Sequence, residues 1–159
     1  MIRVHIICEG QTEEDFIKEV LRPHFSQKGI AVYPSLIGKP GHKGGNFKIE
    51  RLLNDVRNRN VQMHEFEALL FSDPIIFAKS IDKPAIASEL LTIRNSFASP
   101  EEINDGPMTA PSKRILTLIA EYQKPTMGVI GALEISLPVL RHECQLFNKW
   151  LCCLEQLSS

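Results

Sequence analysis

The chain has 159 residues, with 18 Lys+Arg against 19 Asp+Glu, a formal net charge of -1 and 43% hydrophobic residues. This fits one soluble globular domain and leaves no room for two full ones. A membrane span is excluded because no apolar run approaches the roughly 20 residues required, a secretory leader because no basic region precedes a long apolar stretch, and a general nucleic-acid coat protein by the near-neutral charge, although a local basic patch stays compatible with it.

Residues 2–8 form a short run rich in β-branched residues, Ile2, Val4, Ile6 and Ile7, and read as a strand buried on both faces, as the first strand of an α/β sheet would be. Glu9-Gly10-Gln11 breaks the run. Thr12 with Asp15 three residues later is a capping-box-like start, and Glu13-Glu14-Asp15 gives the first turn the acidity that the helix dipole favours. Phe16, Ile17, Val20, Leu21 and Phe25 keep helical spacing, Gly29 is the expected stop, and residues 30–33 predict a second strand. This βαβ start sets the fold class as α/β.

A Gly- and Lys-rich loop spans 38–45, a helix is predicted over 46–59, a strand over 61–63 and a short helix over 64–71. In that helix Phe66, Leu69 and Leu70 share one face, and His64 and Glu67 point the other way. Asp73-Pro74 ends it. Helices are predicted over 84–97 and 111–122, the latter with Ile115, Leu118, Ile119 and Tyr122 facing inward, and a polar loop over 98–108. Leu146, Phe147, Trp150, Leu151, Leu154 and Leu157 define a terminal amphipathic helix. Cys8, Cys144, Cys152 and Cys153 form no C-x-x-C pair and read as small hydrophobes in a reduced, cytoplasmic protein.

Four places could carry chemistry. Glu9 directly follows the first strand, where ligands bind in open α/β sheets. With Gly10 allowing close backbone approach it suits a divalent cation, or it is a solvated turn residue. His64-Glu65-Phe66-Glu67 lacks the second histidine of a zinc motif, since Ala68 stands there. It offers a proton shuttle and two carboxylates, or merely a polar helix start. Ser112, Lys113 and Arg114 stand in the first turn of a helix, where two cations oppose the dipole. Either an anion binds there, or they pair with Glu101, Glu102 or Asp105. The loop with Lys39, His42, Lys43 and Lys48 lacks the phosphate-cradling G-x-x-x-x-G-K-[ST] pattern; it suits nonspecific phosphate contact or is a plain surface loop.

The blocks CEGQTEEDFIKEVLRPHF, MHEFEALLFSDP, NDGPMTAPSKRI and FNKWLCCLE resemble the bacterial family called domain of unknown function 4276, from near Met1 to the last helix. That resemblance implies a Toprim-like (Rossmann-like) fold, a mainly parallel central sheet flanked by helices with a helical C-terminal part. The fold is related to the catalytic domains of topoisomerases, primases and overcoming-lysogenization-defect nucleases. It further implies that Glu9 is the glutamate following strand one and that His64, Glu65, Glu67, Lys113 and Arg114 surround the same cleft. Mg²⁺ or Mn²⁺ would be the cofactor, DNA or RNA the substrate, and an ATPase a partner in defence against mobile DNA.

Family members carry an Asp-containing strand before the HEFEALLF element, whereas here Asn58-Arg59-Asn60 runs directly into Val61-Gln62-Met63-His64. Either the single domain over 1–159 is shortened there, or an internal segment is missing near 60/61. The junction, with no Gly or Pro, favours the second. Two functions follow. One is Mg²⁺-dependent phosphodiester cleavage, with Glu9, His64 and Glu67 catalytic, Glu9, Glu65 and Glu67 holding metal, and Gly10, Lys43, Ser112, Lys113 and Arg114 binding phosphate. The other is a non-catalytic module docking on an ATPase.

Overall fold

The computed structural model describes residues 2–36, 65–103, 106 and 108–158. The predicted loop over 38–45, helix over 46–59 and strand over 61–63 lie outside them, as do the candidates His64 and Lys43.

The βαβ start forms as read. Strand β1 (Ile2–Cys8) and strand β2 (Ile30–Leu36) pair in parallel, Ile2 opposite Ile30 and Cys8 opposite Leu36. Between them helix α1 runs through three continuous pieces, Gln11–Phe16, a π turn over Ile17–Leu21, and Arg22–Ser26. The π turn sits just ahead of Pro23, and the Arg22 amide bonds the Ile17 carbonyl five residues back. Pro23 has no amide to donate and its ring would press on the Glu19 carbonyl, so widening the preceding turn relieves both demands. Gly29 ends the connection at φ 72°, the left-handed position a helix terminus reserves for glycine.

The cap of α1 differs from expectation by two residues. Gly10 is the N-cap, and Glu13, not Asp15, reaches back, its Oε2 accepting from the Gly10 amide at 2.9 Å. Thr12 is thereby freed to turn inward, where it is buried. Burial of β1 on both faces is also corrected: Ile2, Val4 and Ile6 are half-buried and Cys8 buried, whereas Arg3, His5 and Ile7 are exposed, with His5 stacked on Tyr33 at 5.4 Å. Helix α1 packs on the sheet, and alternation sends every second side chain of β1 away from it.

Among the described residues the sheet has only these two strands. The class is α/β but mostly helical, and a mainly parallel central sheet is not seen. From Glu65 on, apolar residues recur three and four apart rather than alternating, which builds helices. A 3₁₀ helix spans Phe66–Ser72, followed by α2 (Pro74–Ser80), α3 (Ala87–Asn95) after a 3₁₀ turn at Pro84–Ile86, and α4 (Pro111–Leu118). A π turn at Lys124–Gly128 leads into α5 (Val129–Ile135), then come α6 (Leu137–Glu143) and α7 (Gln145–Glu155). Asp73 caps α2, its Oδ1 accepting from Ile75 and Ile76 at 3.1 and 2.9 Å, with Pro74 in the first turn where a missing amide costs nothing.

The core is one cluster reaching from Phe16, Leu21 and Phe25 of α1 through Leu69, Leu70, Phe71 and Phe77 to Leu140, Phe147 and Leu151. Of the terminal-helix positions, Phe147 and Leu151 are buried and Trp150 and Leu154 pack beside the core, but Leu146 and Leu157 stand about half exposed. Residues 98–108 are more than a polar loop. A 3₁₀ turn at Pro100–Glu102 buries Pro100, Glu101 and Ile103. Cys8 and Cys144 are buried, and desolvation pushes their thiols up to about 11 and about 12, so both stay neutral; Cys152 is half-buried and Cys153 exposed. Among the described residues no helix is long and apolar enough to cross a membrane.

Candidate functional site

Every residue of the Phe66–Ser72 helix is buried, including Glu67 at 1% exposure. The amphipathic reading turned Glu67 toward solvent. Instead this segment threads the middle of the domain, packed against the Pro100–Glu102 turn, α2, α3, α4, α5 and α6, so it has no solvent face to offer.

Glu65, at its entry, is half-exposed and turns to α4. Its Oε2 accepts from the Ser112 amide at 3.0 Å. Burial raises the Glu65 carboxyl, but the Ser112 hydroxyl and amide, with Lys124 and Lys113 further off, outweigh it and hold the group below the usual carboxylate range. The N-terminus of α4 is thus an anion site whose anion is supplied by the chain itself. Ser112 is buried there, and Lys113 is exposed on the same turn. Arg114 donates from Nε to the Thr109 carbonyl at 2.6 Å and lies over the Phe97 ring at 5.2 Å. Of the expected pairing partners, Asp105 lies outside the described residues, and Glu101 accepts instead from the Leu146 and Phe147 amides.

Glu67 is the unusual group. Its Oε1 lies 3.0 Å from the Lys124 ammonium, and among the described residues no other group satisfies that oxygen. Burial pushes its carboxyl up, opposed by the pull of Lys124. The Tyr122 hydroxyl is likewise buried without a partner, and desolvation, then the charge of Glu67, pushes its phenol up. Among the described residues these are the two buried side-chain oxygens left without hydrogen bonds. An orphaned buried polar atom costs about 1–3 kcal/mol, and two within one charge field mark a place where the fold tolerates cost.

Gly128 ties this place to the N-terminal unit. A Cβ there would come within 3.0 Å of the Tyr122 hydroxyl, 3.2 Å of Phe66 Cε1 and 3.4 Å of Thr12 Cγ2. The first turn of α1 therefore meets the central helix and the Lys124–Gly128 turn at a point where a Cβ would press on the Tyr122 hydroxyl and the Phe66 ring. Three residues before Thr12 stands Glu9, exposed at the carboxyl end of β1, while the Gly10 amide is taken by Glu13.

The structure thus joins Glu65 to Ser112 and sets Glu67 within the charge field of Glu65, while Glu9 stands exposed at the end of β1 and makes no hydrogen bond or ion pair with them among the described residues. Tyr122, Lys124 and Gly128 were missed as site residues. Tyr122 reads from sequence as one more inward apolar position, although the helix stops at Leu118, and a single Lys before Pro125 carries no pattern. Among the described residues no group of three or more His, Cys, Asp or Glu is close enough to hold a metal ion. The unsatisfied Glu67 oxygen nevertheless suits a hard cation, which for Mg²⁺ needs one or two carboxylates and otherwise keeps its waters.

A separate open cleft of about 560 Å³ is lined by Val20, His24, Gln27, Leu137, Pro138 and Arg141. It contains none of the candidate residues.

No curated protein and no solved structure matches the chain. A family model described as "Domain of unknown function (DUF4276)" matches residues 8–62 and 58–155, two stretches that overlap at 58–62. With nearly its whole length matched, the chain belongs to the DUF4276 family.

Proposed function

We propose that the chain is a Toprim-like domain that cleaves phosphodiester bonds in DNA or RNA with Mg²⁺ or Mn²⁺, acting beside an ATPase partner in defence against mobile DNA. The observation that carries the chemistry is Glu67, a carboxylate held in the interior with one oxygen facing only an ammonium. Glu67 and Glu9 would hold the ion, and the ion would supply a water acidified toward neutral pH and charge neutralisation at phosphate. Glu65 fixes α4 through the Ser112 amide and so sets where Lys113 presents its ammonium. Lys113 then contacts substrate phosphate, supported by its exposure within the charge field of Glu65. Preorganised cations of this kind stabilise charge that develops in the transition state.

A non-catalytic module docking on an ATPase is the second reading. Its support is that Glu65 already occupies the helix N-terminus a phosphate would use, and that no three-ligand group is found among the described residues.

Supercoiled plasmid, single-stranded DNA and RNA incubated with the chain and Mg²⁺ or Mn²⁺ decide between them. Cleavage that falls at least about 100-fold in both Glu9→Gln and Glu67→Gln, roughly the scale of one lost electrostatic group, with both variants still folded at the assay temperature, supports the enzyme. Cleavage that persists in both variants overturns the site. No cleavage by the wild type, alone or with an ATPase that it binds, leaves the docking reading.

A further inference from the structure

Glu67 cannot leave its place, because the helix that carries it is buried from Phe66 to Ser72, with Ala68, Leu69 and Leu70 at 1% exposure or less. A carboxylate so placed stays ionised only beside a cation. The cation in place is Lys124, whose ammonium is 3.0 Å from Oε1 while its side chain remains 47% exposed. A flexible four-carbon stem standing half in water swings away at little cost. The carboxylate is fixed, and its partner is the movable half of the pair. Among the described residues no other side chain bonds the oxygen that Lys124 covers, so the ammonium is what another cation would displace to take it.

We propose that Lys124 is a tethered cation that holds Glu67 until a divalent ion takes the same oxygen, and that metal binding therefore releases the Lys124 ammonium toward substrate phosphate. This rests on the metal-dependent reading above and adds to it an exchange. One positive partner of Glu67 replaces another, so the buried carboxylate stays neutralised throughout, and a phosphate-binding cation is delivered only when the metal is in place. Tyr122, two residues before Lys124, keeps an unpartnered hydroxyl in the field of the same carboxylate. It is an oxygen available to water on the incoming ion.

The test measures Mn²⁺ affinity of the full chain by calorimetry, and acylation of individual lysines by mass spectrometry with and without Mn²⁺. Lys124→Met, which removes the competing charge, is expected to bind Mn²⁺ about tenfold more tightly, and Lys124→Arg, which keeps it, to stay near wild type. In the wild type, acylation of Lys124 should rise several-fold when Mn²⁺ saturates, while Lys83, paired with Glu121 at 2.6 Å, stays constant. Should Lys124→Met fail to fold, the labelling of the wild type decides alone. Mn²⁺ binding with unchanged Lys124 labelling, or with equal or weaker affinity in a folded Lys124→Met, overturns the exchange and leaves the metal site standing. A wild type that binds no Mn²⁺ overturns the metal reading, and the exchange with it.

Discussion

Two buried glutamates in this domain are handled in opposite ways. Glu101, 6% exposed, sits in the Pro100–Glu102 turn and gives both carboxylate oxygens to the start of α7, Oε2 to the Leu146 amide at 3.0 Å and Oε1 to the Phe147 amide at 2.8 Å. Glu67, 1% exposed, has an oxygen that, among the described residues, meets the Lys124 ammonium and no backbone amide. The first arrangement is what a fold does with a carboxylate it uses as a fastener, since two orphan amides and a helix dipole are satisfied at once. The second leaves capacity unused. Burial alone therefore does not distinguish these two carboxylates, whereas the state of their lone pairs does.

The same contrast holds at the α6–α7 junction. Glu155 is gripped by Arg141 at 2.7 and 3.2 Å and by His24 of α1 at 2.6 Å, with Lys28 at 3.8 Å. Arg141 also donates to Asn148 and Cys152. This dense, satisfied network fastens the first helix to the last.

The sharpest way to break the comparison is to remove the fastener. Glu101→Ala strands two buried amides and a helix start, and is expected to cost about 2–4 kcal/mol in urea unfolding. Glu67→Gln, which removes a charge without stranding a partner in the backbone, should cost less than half of that. If Glu67→Gln proves the more damaging, Glu67 is the structural residue and the contrast fails.

Rigidity of the central helix comes next. A Cβ at Gly131 of α5 would lie 2.6 Å from Phe77 Cδ2 and 3.2 Å from Leu70 Cδ2, so α5 approaches α2 and the Phe66–Ser72 helix as closely as backbone allows. Gly131→Ala should destabilise by about 1–3 kcal/mol through overpacking. A neutral result in thermal unfolding would mean that the central helix gives way, and that Glu67 is less firmly held than its burial indicates.

The junction makes a smaller, pH-dependent prediction. The Arg141 guanidinium, against a desolvation that raises it and with help from His24, holds the Glu155 carboxyl down at about 2 rather than the ordinary 4.5. The unfolded chain then binds more protons than the native one between those values, so stability rises with pH there. The contribution is full above 4.5 and is lost as pH falls toward 2. With solvent screening, it amounts to about 1–2 kcal/mol. Arg141→Met should flatten that slope in urea midpoints taken from pH 5 to pH 2.5.

How much of this was legible in the sequence follows the range of the forces involved. The local signals held: the β-branched run of β1, Gly29 after α1, Asp73-Pro74 before α2 and Pro111 opening α4 each dictate their own few residues. Helices α5 and α6 escaped notice because Ser136, at φ 76° in a conformation that favours glycine, splits one apolar stretch into two short pieces. The site was half legible. Glu65, Glu67 and Ser112 were singled out as candidates by type and spacing, but that Glu65 would cap α4 is a contact between residues 47 apart, which no local pattern encodes. The inward turn of Glu67 was misjudged for a related reason, since an amphipathic wheel presumes a solvent side and the centre of a domain has none.

The smallest effect probes the comparison most closely. Tyr122→Phe deletes one oxygen from a buried ring, and in the fastened regions such a deletion would strand a partner and cost stability. Here the hydroxyl has no partner to strand, and its removal relieves an unpaid desolvation, so Tyr122→Phe is expected to be neutral or to stabilise by up to about 1 kcal/mol in urea unfolding. The ring itself must stay, because it fills the core edge-on to Phe77 at 6.4 Å, and Tyr122→Ala should be damaging for that separate reason. A loss of stability in Tyr122→Phe would show that the hydroxyl is bonded in the folded protein and would align Tyr122 with Glu101. A gain, combined with weaker Mn²⁺ binding, would show a polar atom kept at the expense of the fold because the site needs it.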